Sequence, residues 1–182
     1  MILNYGLVEE LFYARRYDQA IEEAHKVEEV FSDPIRRYSF GRLIALSYEM
    51  KGDSQHALPE LQEMVRLLRL RDSPALPNYL ADLAIADAVF GNRPEALRLL
   101  AEMTDMAKHR HVAPIAFAHV YAGLGDKDQT FEWLDKAFDD FPESVLFLKI
   151  DPRFDLLHSD PRFREFLQRL GLALVPKRET TS

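Results

Sequence analysis

Residues 114–142, PIAFAHVYAGLGDKDQTFEWLDKAFDDFP, read as two helices joined by a turn. An apolar run reaches Tyr121. The turn Gly125-Asp126-Lys127-Asp128 ends one helix and starts the next, and the second run carries Trp133, Leu134 and Ala137 before Pro142 closes it. The same turn context stands earlier at Arg15-Arg16-Tyr17-Asp18, Gly52-Asp53-Ser54-Gln55 and Gly91-Asn92-Arg93-Pro94. Behind each turn lies a small residue, Ala20, Ala57, Ala96 and Thr130, at intervals of 37, 39 and 34 residues. Two helices packed as a hairpin need a small residue where their axes cross and large apolar residues beside it. Both are in register. With the small residue as position 20, position 8 is Val8, Ala45, Ala84 and Ala118, and position 7 is Leu7, Ile44, Leu83 and Phe117. Position 11 is Leu11, Tyr48, Asp87 and Tyr121.

The phased small, aromatic and proline positions resemble the tetratricopeptide repeat, a helix hairpin of about 34 residues. The resemblance implies an all-α fold, a right-handed α-solenoid of four hairpins over 1–143, with units near 1–34, 38–71, 77–110 and 111–144. The longer intervals are read as extended second helices, clearest from Ser54 to Leu70, and a loop from Asp72 to Pro77. Pro59 is expected to kink that helix or delay its start. After Pro142 one tetrapeptide appears twice, Asp151-Pro152-Arg153-Phe154 and Asp160-Pro161-Arg162-Phe163. Asp is a good N-cap and Pro suits the first helical position, so each copy marks a helix start. Residues 144–172 are read as capping helices that cover the apolar end of the array, the alternative being that they fold back into its groove. Residues 173–182 are read as a disordered tail. The stretch Val112 to Leu172 is similar to the C-terminal repeat segment of bacterial winged-helix activators, nucleotide cyclases and serine/threonine kinases, which implies an interaction or regulatory module.

Composition sets further bounds. The 182 residues suffice for one continuous core, and 47% hydrophobic with 29% charged content is ordinary for a soluble protein. Cysteine is absent, which excludes disulfides and thiolate metal sites and suits a reducing, cytoplasmic setting. Glu9 and Glu10 follow only a few apolar residues, against a signal peptide, and no apolar run has the length of a membrane span. A net charge of −7 argues against a nucleic-acid partner. Only seven glycines are present, with no phosphate-binding loop and no nucleophile elbow among them, and the chain is read as non-catalytic with no cofactor. His109, His111 and His119 straddle a helix connection and a helix two turns on, and are read as loop and groove histidines rather than metal ligands. The aromatics Phe31, Phe40, Phe90, Phe117, Tyr121, Trp133 and Phe138 recur at helical spacing and are assigned to the core. Phe154 and Phe163 are expected to pack on the last hairpin.

In the family resembled, first helices line a concave groove, and the matching positions here include Tyr5, Glu9, Phe12, Tyr13, Arg42, Leu46, Glu49, Met50, Asn78, Ala81, Ile85, Val89, Ile115 and His119. Tyr5, Glu9, Leu43 and Asp82 stand where chaperone-binding members carry a carboxylate clamp, so that clamp is not expected. The resemblance instead implies a groove for an apolar helix or peptide of a protein partner, with Arg42 and Glu49 setting its polarity. The alternative is self-association, with the groove filled by the chain's own tail or a second copy, as in a homodimer.

Overall fold

The computed structural model describes residues 5–30 and 34–171, and every regular element among them is helical. The helices are α1 Tyr5–Tyr13, α2 Tyr17–Val30, α3 Pro34–Met50, α4 Ser54–Leu70, α5 Leu76–Val89, α6 Arg93–Met106, α7 Pro114–Gly123, α8 Lys127–Asp140 and α9 Pro161–Arg169. Two short 3-10 turns, Pro142–Val145 and Pro152–Leu157, lie between α8 and α9. Phe31 and residues 173–182 fall outside the described residues.

The four aligned turns share one backbone device. Arg15, Gly52, Gly91 and Gly125 all have positive φ, at 61°, 75°, 88° and 76°. After each, the next amide donates to the carbonyl at position 11: Arg16 to Leu11 at 2.8 Å, Asp53 to Tyr48 at 2.9 Å, Asn92 to Asp87 at 2.7 Å and Asp126 to Tyr121 at 3.0 Å. This is the bond pattern of a helix closed by a left-handed residue, and it turns the chain back on itself within a few residues. Asp53 and Asp126 then cap the next helix, accepting from the amides of His56 and Gln129.

Helices joined so tightly pack in pairs, α1 on α2, α3 on α4, α5 on α6 and α7 on α8, and α1, α3, α5 and α7 also touch in succession. The small residues sit where the pairs meet. Ala20, Ala57, Ala96 and Thr130 are fully buried, as are Ala45, Ala84 and Ala118 opposite them. Thr130 satisfies its hydroxyl on the Asp126 carbonyl at 2.7 Å. Apart from Asn78, α5 is buried from Leu76 to Asp87, which explains why apolar residues fall on every side of it. α4 starts at Ser54 and continues through Pro59, so that proline does not delay the helix. Beyond α8, Phe163, Phe166 and Leu167 of α9 bury against the cluster that holds Phe131, Leu134 and Ala137. That contact closes the apolar end of the last pair.

Candidate functional site

The face shared by α1, α3, α5 and α7 is covered by the chain itself. At Phe141 the backbone becomes extended (φ −151°, ψ 93°) and Pro142 prevents α8 from continuing. Residues 142–157 then cross from α8 to α1 and α7. Val145 and Leu148 bury into the α7–α8 cluster. Phe147 stacks on Tyr13 of α1, with ring centroids 5.3 Å apart and planes 7° from parallel. Phe154, also in the α7–α8 cluster, stacks on His119 of α7 at 4.6 Å. Asp155 accepts both terminal nitrogens of Arg15 at 2.7 Å, tying the segment to the first turn.

Beneath these stacks lies a run of alternating charges. Asp82 of α5 is 1% exposed, and Arg42 of α3 donates to it through Nε at 2.5 Å and Nη2 at 3.0 Å. Arg153 reaches the same carboxylate through Nη1 at 3.4 Å, and clasps Asp151 through Nε at 2.9 Å and Nη2 at 2.6 Å. His119 lies with Nε2 3.3 Å from Asp151 Oδ2. Two guanidinium groups and two carboxylates thus neutralise one another, the condition under which buried charge is tolerated. Burial drives Asp151 upward, but the Arg153 charge and the bonds from His119 and Arg153 outweigh it and hold the carboxyl below the usual carboxylate range. Burial, helped by Arg153, pushes His119 down to about 4. Its imidazole is neutral at pH 7, and Nε2 must carry the proton that Asp151 accepts. Burial and the Asp151 charge push the Tyr13 hydroxyl up to about 12.

Glu49 of α3 is the exception to this pairing. It is 2% exposed, and neither carboxyl oxygen has a hydrogen-bond partner. Burial pushes its carboxyl up to about 8, the Arg153 charge offsetting only part of that, so Glu49 is mostly protonated at pH 7.

The residues expected to line a groove divide three ways. Tyr13, Arg42, Asn78, Ala81, Ile115 and His119 line a cavity of about 230 Å³ whose other wall is Ser144 to Phe154 of the same chain. Phe12, Leu46 and Ile85 are buried in the core, and Glu49 is buried beside the charges. These four are closed off from solvent. Adjacent helical residues point about 100° apart, so Phe12 turns inward where Tyr13 turns to the face. The remainder are peripheral: Tyr5 packs edge-on to Phe40 at 5.6 Å, Met50 is half-buried against the first pair, Glu9 borders an outer hollow, and Val89 is half exposed. Asp82, Asp151 and Arg153 organise the site although the groove positions did not include them. Asp82 carried a readable signal, an acid inside a largely apolar helix, which burial requires to be paired. Among the described residues no three His, Cys, Asp or Glu side chains converge in a way that could hold a metal ion. No helix among them is long and apolar enough to cross a membrane. Comparison with protein-family models, with curated proteins and with solved structures finds no match.

Proposed function

We propose that this chain is a non-catalytic protein-interaction module, a right-handed solenoid of four tetratricopeptide-like hairpins, working as a cytoplasmic regulatory part of bacterial signalling. Its recognition face is the one formed by α1, α3, α5 and α7, and in this state its own residues 142–157 hold it closed. The observation that carries this reading is the way the segment is seated. A short non-α-helical stretch lies on the face and is held by the Phe147–Tyr13 and Phe154–His119 stacks and by the Arg153–Asp82 contact. Aromatic anchors with a buried arginine between them are how peptide ligands are commonly bound.

The test uses the full chain. A synthetic peptide of residues 142–157 is titrated, by fluorescence anisotropy, into wild type and into Arg153→Ala/Phe154→Ala, with helicity checked by circular dichroism. The loosened chain is expected to bind the peptide and wild type to ignore it. A folded double variant that also ignores it removes the reading. The same segment seated on the face of a second copy would make the chain a homodimerisation module, and a mass that doubles with concentration in light scattering would favour that reading instead.

A further inference from the structure

The segment that closes the inner face exposes an unusual amount of apolar surface on its other side. Phe141, Leu146, Phe147 and Ile150 are each between 45% and 58% exposed, four large apolar side chains within ten residues. Scattered exposed apolar residues need no explanation, but a cluster of this kind marks a contact surface. Two of the four, Phe147 and Ile150, meet α1 at an open hollow of about 460 Å³ whose floor also includes Tyr13 and Gly6. Ala14, Glu9 and Glu10 complete its lining, and the lining contains no cation. Of the basic residues that flank the lining in sequence, Arg15 and Arg16 are engaged with Asp155 and Gln19, and Lys149, next to Ile150, stands outside the lining.

We infer that this hollow docks a basic amphipathic segment of a partner protein, one large apolar side chain seated between Tyr13, Phe147 and Ile150, and Lys or Arg placed against Glu9 and Glu10. The pocket supplies apolar contact and the carboxylates supply sign and register, the division of labour usual at protein interfaces. A second copy of the chain fits worse. A symmetric contact would set the same two carboxylates against each other on a chain whose net charge is −7. The inference rests on the reading of the chain as an interaction module, but places this partner outside the closed face.

The probe is a short fluorescent peptide of Leu and Lys in helical register, compared with the same pattern of Leu and Glu at physiological salt. Wild type is expected to bind the Leu/Lys peptide and not the Leu/Glu peptide. Phe147→Ser/Ile150→Ser, which keeps every charge, is expected to lose at least about tenfold in affinity. Glu9→Gln/Glu10→Gln, which keeps the apolar floor, is expected to lose less and to flatten the salt dependence. No binding by wild type overturns the inference. So does equal binding by wild type and the serine variant, which would mean unspecific attraction to an acidic protein. A concentration-dependent dimer abolished by the serine variant would hand the hollow to a second copy. If the Leu/Lys peptide fails while the loosened chain still captures residues 142–157, the docking inference falls and the module reading stands.

Discussion

Asp151-Pro152-Arg153-Phe154 and Asp160-Pro161-Arg162-Phe163 make the same internal bonds in two different surroundings. In each, the aspartate accepts from the arginine amide at 3.0 Å and from two nitrogens of its guanidinium. In each, the remaining Nη1 reaches an aspartate on another helix, Asp82 for Arg153 and Asp128 for Arg162. In each, the phenylalanine is 1% exposed and packs on a histidine, His119 or His158. The arginines differ: Arg153 is 6% exposed and Arg162 44%. One tetrapeptide therefore serves as a buried clamp over the inner face and as the ordinary start of α9, and what separates the two is whether water reaches the guanidinium.

The largest expected effect breaks that comparison at the arginines. Arg153→Ala leaves Asp151 and Asp82 buried with a partner removed, and should cost about 3–5 kcal/mol of stability in urea unfolding. Arg162→Ala releases groups that water can reach and should fall within the spread of ordinary surface substitutions. The phenylalanines supply the control, since Phe154→Ala and Phe163→Ala, equally buried, should each lose about 3–5 kcal/mol. Equal losses for the two arginines would mean that the inner charges are solvated in solution and that the segment does not stay closed.

This asymmetry also sets what the sequence could disclose. The four turns were legible because their determinants are local: a residue that takes a left-handed conformation, a cap, and a small residue such as Ala57 or Ala96 where helices cross. Helix starts at Pro152 and Pro161 were legible for the same reason. Which copy would be buried was not, because the tetrapeptides are identical and the difference comes from partners far along the chain. Arg153 meets Asp82, 71 residues away. The groove positions were harder still. Tyr13, Arg42 and His119 lie along the cavity wall while Phe12, Leu46 and Ile85 turn into the core, and the other wall is made by residues no groove pattern mentions.

A smaller effect concerns the proton on Glu49, beside the inner clamp. Folded, its carboxyl is raised from 4.5 to about 8, so the native chain holds an extra proton across that range and loses stability as pH rises through it. His119 runs the other way. Lowered from 6.5 to about 4 in the folded state, it gives the unfolded chain the extra proton between those values, and stability rises there with pH. The slopes cancel from about 4.5 to 6.5, leaving a fall of about 2 kcal/mol between 6.5 and 8, one proton at about 1.36 kcal/mol per pH unit. Asp160 of the outer copy, held down to about 2 by its bond from Arg162, titrates below this window. Unfolding free energies measured across it should show the fall in wild type and a level curve above pH 6.5 in Glu49→Gln. A fall that survives in Glu49→Gln would assign it to another group.

The smallest effect tests how the inner copy is anchored to the first turn. Arg15 fills the place that Gly52, Gly91 and Gly125 fill elsewhere, at a φ of 61° that suits glycine better. The same side chain gives the pair to Asp155, in which both partners are 45% exposed. An exposed pair, even a bidentate one, returns little, so backbone conformation should decide the outcome. Arg15→Ala keeps the unfavourable φ and gives up the pair, whereas Arg15→Gly gives up the pair and relieves the backbone. The glycine variant should therefore be the more stable of the two by about 1 kcal/mol, and close to wild type, in urea unfolding. If both variants fall equally far below wild type, the Arg15–Asp155 tie outweighs the turn, and the inner segment depends on its outer fastening as well as on the buried charges.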